Sequence, residues 1–375
     1  MRHILFFIES LSGGGAERVL VTLLKHFDYQ KYNVTLLSLV DTGILKEEIK
    51  GIPIRYKSVI LPARTRWCQI WNKIKYKMVY QWLPLRIVNC WIIPQKDVDV
   101  YVAFTEGFAT KLLSYLPQKK LAWVHIDLKT YPWTLNEHIY RNQQEEIKAY
   151  SKFKKVVCVS HSVEKVMSGY YKLSNTTTIY NPIDSDDITN KSMISLDKII
   201  NSSAINIVSV GRLVPQKGYD LLIPIIAKLR NEGIDVHLYL IGEGTDRALL
   251  KQLIKKNNID EYVHLMGYLS NPFPLMKQMD LFVCSSRAEG FSLVIAEAMV
   301  LGLPIVSMDC AGPNELLENG KFGLLCASYE QLYEEIRCVS SSLAVRRLLA
   351  NQAKEGAQRF QIQDTLNAIY RELDS

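Results

Sequence analysis

Short apolar runs recur along this chain, each followed by a helical pattern, and that alternation restricts the folds open to it. Runs at 4–8, 34–39, 98–104, 121–125 and 155–160 read as strands in the first half. Runs at 205–210, 236–241, 263–265, 281–284 and 304–307 repeat the habit in the second. Strands alternating with helices pair in parallel, because each crossover helix brings the chain back to the same end of the sheet. The expected fold is α/β, with two doubly wound, Rossmann-like parallel-sheet domains. A length of 375 residues suits two domains better than one. Asn181-Pro182-Ile183-Asp184, followed by the polar stretch 185–203, marks the expected boundary.

Ligands of such sheets bind beyond the carboxyl ends of the strands. The segment Glu289-Gly290-Phe291-Ser292-Leu293-Val294-Ile295-Ala296-Glu297 follows the run at 281–284. Ser292 is a suitable N-cap, and Leu293, Val294, Ala296, Ala298 and Met299 give the helix an apolar body. Glu289 then precedes the helix and Glu297 lies just over one turn inside it. Backbone N–H groups at a helix start bind anions. A phosphate there has a carboxylate on each side, and both carboxylates accept from hydroxyls. That layout suits a nucleotide sugar.

The segment resembles the E-x7-E element of the retaining GT-B glycosyltransferases of family 4. Three other motifs stand in that family's order. Val210-Gly211-Arg212-Leu213-Val214-Pro215-Gln216-Lys217-Gly218 is similar to its G-R-L-x-x-x-K-G loop, Ala311-Gly312-Pro313-Asn314-Glu315 to its G-x-x-E turn, and Gly13-Gly14-Gly15-Ala16-Glu17 to its G-G-A-E loop. The resemblance implies two domains facing a central cleft. Residues 1–183 would bind the acceptor and 184–357 the nucleotide sugar, with 358–375 a last helix returning to the first domain.

Arg212 and Lys217 follow a strand, and two fixed cations there stabilise a diphosphate that gains negative charge as the glycosidic bond breaks. The family's matching residues contact the diphosphate, which implies the same for these two. By the same resemblance Glu297 takes the ribose hydroxyls and Glu289 the hexose. The amides of Gly290, Phe291, Ser292, Leu293 and Val294 would meet the phosphates, with Gly242 and Glu243 adding a close approach. Gly14 and Gly15 permit near contact ahead of a helix; the family's loop closes over the donor phosphates or meets the acceptor. His125 ends a strand, and Trp123-Val124-His125-Ile126 resembles the context of a histidine beside the reacting sugar. Asp127 is placed to serve the acceptor or to orient His125. Expected catalytic residues are thus His125, Glu289, Arg212 and Lys217.

The glycine loop is neither a Walker A site nor G-x-G-x-x-G, which argues against an NTPase or dehydrogenase. Asp97-Val98-Asp99 matches a D-x-D metal motif but reads better as the polar start of a strand. No metal and no other cofactor is expected, since cations and helix ends do that work. The seven cysteines are scattered without C-x-x-C, as in a reduced, cytoplasmic protein. No apolar run reaches the length of a membrane span.

Charge is uneven. Residues 1–190 hold 26 Lys and Arg against 17 Asp and Glu, while the remainder holds 19 against 21. Between Ile49 and Lys96 no acid occurs, and Trp67, Trp71, Trp82 and Trp91 fall in that stretch. From Arg64 to Lys96 it reads either as a solvated helical face with core aromatics or, the favoured reading, as a surface that docks on an anionic bilayer. No recognition fold for nucleic acid accompanies the charge.

The whole is expected to be a retaining hexosyl- or N-acetylhexosaminyltransferase. Its donor would be a UDP-sugar and its acceptor a lipid-linked saccharide of bacterial surface polysaccharide synthesis, with the enzyme peripheral on the inner face of the cell membrane. The alternatives are a nucleotide-sugar 2-epimerase, which needs no acceptor, and a non-catalytic partner subunit of a glycosyltransferase pair.

Overall fold

The structure, a computed structural model, describes residues 1–63, 65–94, 96–195, 200 and 203–375. Arg64 of the basic stretch and residues 196–199, 201 and 202 of the polar stretch lie outside them. The chain divides into two compact units, Met1–Pro182 with Ile362–Ser375, and Ile183–Gln361.

The first unit holds β1 (Arg2–Ile8), β2 (Tyr32–Val40), β3 (Arg55–Ile60), β4 (Val100–Ala103), β5 (Lys120–Val124), β6 (Lys155–Cys158) and β7 (Thr176–Thr178). They form one sheet in the order β3-β2-β1-β4-β5-β6-β7, parallel at every pairing. The second holds β8 (Ile205–Val210), β9 (Val236–Ile241), β10 (Val263–Gly267), β11 (Leu281–Cys284), β12 (Ile305–Met308) and β13 (Leu324–Cys326). Their order is β10-β9-β8-β11-β12-β13, again all parallel. Helices cover both faces of a parallel sheet, so its central strands are apolar throughout; Ile4, Leu5, Phe6 and Phe7 of β1 are all fully buried.

Three strands escape the reading of apolar runs: β3, β7 and β13. Each is a sheet edge. An edge strand is covered on fewer sides and tolerates polar residues such as Arg55, Lys57 and Ser58 of β3 or the three threonines of β7.

The order of each sheet reverses once. The first runs outward through β1, β2 and β3, then resumes with β4 on the other side of β1; the second does the same at β8 and β11. These reversals are where the crevices of doubly wound sheets open.

Both boundary segments differ in detail from expectation. The polar stretch begins as a helix, Ser185–Ser192, capped by Asp184, whose carboxylate accepts from the Asp187 amide at 2.9 Å. Ile183 therefore belongs to the second unit. Residues 358–361 also stay there, because the Arg359 guanidinium donates to the Leu316 carbonyl at 2.6 Å and lies over the rings of Phe322 and Phe360. From Ile362 the final helix packs on the first unit. Tyr370 stacks on Tyr32 with ring centroids 5.2 Å apart, and the Leu373 carbonyl accepts from Arg2 and Lys119. Among the described residues no helix is long and apolar enough to cross a membrane.

Candidate active site

In the second unit the loops after β8 and β11 meet across the reversal. The Ser285 hydroxyl donates to the Lys217 carbonyl at 2.8 Å, the Arg287 amide to the Gln216 carbonyl at 2.8 Å, and the Gln216 side chain to the Ala288 carbonyl at 2.8 Å. Arg287 grips both oxygens of Asp220 at 2.9 and 2.8 Å. Gly218, at φ +67°, passes so close to Ser285 that a Cβ would sit 2.2 Å from its carbonyl oxygen. These staples hold Lys217 and Glu289 together, with Lys217 Nζ 2.6 Å from Glu289 Oε1. The Ser286 hydroxyl donates to the same oxygen at 2.6 Å. Glu289 is 8% exposed. Burial works against the Lys217 ammonium, but the Glu289 carboxylate outweighs it and holds the lysine above its ordinary pKa. Burial also pushes the Tyr219 phenol up to about 12, so it stays protonated. Lys217 is therefore a fixed cation rather than a titrating one.

Arg212 is not drawn into this network. Its side chain is exposed and, among the described residues, makes no ion pair or hydrogen bond.

Beyond Glu289 the chain enters the helix Leu293–Leu301, which Gly302 closes at φ +70°. Gly290 is pressed by Gly312, where a Cβ would come within 2.9 Å of the Gly290 carbonyl carbon. Phe291 packs edge-on to Phe360 at 5.8 Å. Ser292 occupies the N-cap, but its side chain makes no capping bond. Its hydroxyl, on a residue 2% exposed, has no partner among the described residues. Nor do the amides of Ser292, Leu293 and Val294 have a protein acceptor there. A buried unmade hydrogen bond costs about 1–3 kcal/mol, so four donors gathered at a helix start suit an anion that completes them. Glu297 lies within that helix, partly buried.

The turn after β9 presses on the same loop. A Cβ on Gly242, at φ +144°, would lie 1.9 Å from the Gly211 carbonyl oxygen, and one on Gly244 would lie 2.2 Å from that of Leu213. The Leu213 amide donates to the Glu243 carbonyl at 2.9 Å. The exposed Glu243 carboxylate is bound to Arg247 at 2.6 Å, a cation the motifs did not point to.

Gly14, Gly15 and His125 stand in the first unit. Gly14 caps the helix Gly15–Lys25 at the carboxyl end of β1. His125 follows β5. Its Nε2 lies 2.8 Å from the Phe104 carbonyl, which can only accept, so Nε2 carries the proton. Burial pushes its pKa down to about 4, which leaves the imidazole neutral at pH 7. Asp127 does not orient it. That carboxylate takes the amides of Lys129 and Thr130 and the Thr130 hydroxyl, fixing a turn.

Two acidic side chains at this end of the sheet carry no motif. Glu106 accepts the His125 amide at 3.1 Å, and Glu9, next after β1, accepts the Tyr80 hydroxyl at 2.7 Å. The polar residue that ends the apolar run 4–8 is the signal that points to Glu9; Glu106, three positions past β4, carries none. Asp99 lies at the opposite end of the sheet, where it accepts the His3 amide at 2.7 Å.

Comparison with known proteins accounts for both units. Residues 204–342 match the family described as glycosyl transferases group 1, and residues 13–187 match glycosyltransferase family 4. An uncharacterized glycosyltransferase of Methanocaldococcus jannaschii is 32% identical over 285 residues, 72% of this chain and 68% of that one. A Campylobacter jejuni enzyme, N-acetylgalactosamine-N,N'-diacetylbacillosaminyl-diphospho-undecaprenol 4-alpha-N-acetylgalactosaminyltransferase, is 32% identical over 188 residues, 48% of this chain and 49% of its own. Anabaena HepE, solved in complex with UDP and glucose, matches the whole of both chains with a TM-score of 0.78 at 21% identity. The chain belongs to the group 1, family 4 glycosyltransferases and carries their GT-B fold of two Rossmann-like parallel-sheet domains.

Proposed function

We propose that the enzyme is a retaining transferase that moves a hexose or N-acetylhexosamine from a UDP-sugar to a lipid-linked saccharide in bacterial surface polysaccharide synthesis. The observation that carries the donor side is the buried Lys217–Glu289 pair beside a helix start with four uncommitted donors. A diphosphate fits there, with Lys217 countering its growing charge, Glu289 on the hexose and Glu297 on the ribose. The Campylobacter relative is named for a diphospho-undecaprenol acceptor and HepE was solved with UDP, which supports the same classes here. In the reaction the acceptor oxygen bonds to the anomeric carbon while the bond from that carbon to the diphosphate breaks. The electron pair leaves with the diphosphate, which takes the hydroxyl proton on the same face. His125, neutral, lines the acceptor side.

A thermal-shift screen tests the donor. UDP at about 100 times its dissociation constant adds about 2.7 kcal/mol. We expect a shift with UDP that exceeds those with GDP and ADP and that Glu297→Ala removes. An unchanged shift in Glu297→Ala overturns its ribose role. UDP release only when acceptor is present excludes a 2-epimerase, and any release excludes a non-catalytic subunit.

The acceptor's lipid calls for a membrane contact, and the basic stretch supplies a candidate. The helix Arg66–Lys77 buries none of its residues. Trp67, Trp71, Trp82 and Trp91 are 75%, 60%, 59% and 47% exposed, so they are not core aromatics. Exposed indoles among unopposed lysines fit an anionic bilayer surface, where each basic residue contributes about 1 kcal/mol. Lys73→Glu/Lys75→Glu/Lys77→Glu is expected to lower binding to vesicles containing phosphatidylglycerol by at least tenfold and to spare activity on a soluble acceptor. Undiminished vesicle binding places the docking surface elsewhere.

A further inference from the structure

The first unit has its own reversal of strand order, between β1 and β4, and the groups around it differ in kind from those of the second. Glu9 stands directly after β1; Thr105 and Glu106 follow β4. Tyr80 donates to Glu9 Oε2 at 2.7 Å and stacks on Phe108 at 4.3 Å, and the Phe108 amide also donates to that carboxyl. Glu106, 8% exposed, takes the His125 amide and the Trp133 side chain. Burial, and then Glu17 and Glu106 as like charges, push the Glu9 carboxyl above its usual range. His125 follows β5, the strand beside β4. With Nε2 committed to the Phe104 carbonyl, its Nδ1 keeps a lone pair and has no protein donor among the described residues. The Thr105 hydroxyl is buried and likewise has no partner there.

Glu9, Glu106 and His125 Nδ1 all accept hydrogen bonds. The charges that act most on Glu9 are those of Glu17 and Glu106, both acidic. A phosphate or carboxylate brought here meets two acidic groups, whereas sugar hydroxyls can donate to Glu9, Glu106 and His125 Nδ1. The second unit is the reverse, with Lys217 and open amides fit for phosphate.

We propose that this crevice receives the reacting end of the acceptor, that this end is a neutral, hydroxyl-rich sugar, and that Glu9 is a binding residue for it. Acceptors with a phosphate or carboxylate beside the reacting hydroxyl are excluded by Glu9 and Glu106. The inference rests on the chain transferring from a nucleotide sugar, and it sets the chemistry of the other substrate.

The test uses the full chain, a UDP-sugar and two acceptor sets. One holds octyl glycosides of glucose, galactose and N-acetylglucosamine; the other holds malate, glycerol 3-phosphate and octyl glucoside 6-phosphate. UDP release is expected with at least one neutral glycoside, at a kcat/KM at least tenfold above every anionic compound. Glu9→Gln keeps an acceptor for the Tyr80 hydroxyl. It should raise KM for the glycoside at least fivefold, leave kcat within twofold and leave the UDP thermal shift intact. Tyr80→Phe, which keeps the ring on Phe108, should raise KM in the same direction. Preference for an anionic acceptor, or an unchanged KM in both variants, overturns the proposal. Calorimetry of octyl glucoside against its 6-phosphate keeps the two readings apart. If UDP gives no shift but the neutral glycoside binds better, the donor reading fails and this one stands; tighter binding of the phosphate overturns this one whatever UDP does.

Discussion

Lys217→Ala is expected to lower kcat by about 10²–10³ while weakening UDP-sugar binding by much less, the range seen when one fixed stabiliser of transition-state charge is removed. The reason is differential. The bound UDP-sugar has not yet gained the charge that passes to the diphosphate as the glycosidic bond breaks, and an ammonium already held by Glu289 at 2.6 Å needs no reorganisation to meet it. Its raised pKa keeps it cationic across the working range. The variant should also lose about 3 kcal/mol of stability, because the Glu289 carboxylate is left buried with the Ser286 hydroxyl as its remaining side-chain partner. The two effects separate in Lys217→Met/Glu289→Gln, which removes both charges. Its melting temperature should recover, and its turnover should not. Steady-state kinetics beside UDP-sugar calorimetry without acceptor reads the split. Equal losses in kcat and UDP-sugar affinity would make Lys217 a ground-state ligand only.

Gly242→Ala is expected to cost more than 3 kcal/mol and to abolish the UDP shift, through backbone rather than chemistry. At φ +144° an alanine is strained, at about 1–3 kcal/mol. Its Cβ would also lie 1.9 Å from the Gly211 carbonyl oxygen, so the strand end that leads into Arg212 and Lys217 must move. Gly233→Ala is the control. It shares a positive φ, +81°, but nothing lies within 4 Å of its Cβ, and it should lose only about 1–2 kcal/mol with the UDP shift intact. Urea unfolding of both variants gives the comparison. Equal losses would mean that the β9 turn does not bear on the loop after β8.

Most of the architecture lay open in the chain because buried parallel strands are apolar along their whole length and so interrupt the helical periodicity visibly. Ten strands announced themselves in this way, and the edges β3, β7 and β13 did not, since half-covered strands need no such run. The glycine-bearing loops of the second unit were legible for a related reason: Gly218 and Gly242 are required by close backbone approach, and a position that only glycine can fill leaves a mark in sequence. Arg212 shows the limit, since a motif places a residue in a loop but not its side chain against a partner.

The chain by itself determined two parallel α/β units, the family, the loops that carry Lys217 and Glu289 and the helix that carries Glu297. Tertiary structure decided what those loops touch. Pairing of Lys217 with Glu289, 72 positions apart, depends on β8 lying beside β11. The hold of Tyr80 on Glu9, 71 positions apart, depends on a helical segment folding back over the end of β1. Ser292 looked like a helix cap, and only its packed surroundings reveal a hydroxyl left without a partner among the described residues. Propensity and periodicity act between neighbours in sequence, whereas charge pairing and burial act between neighbours in space.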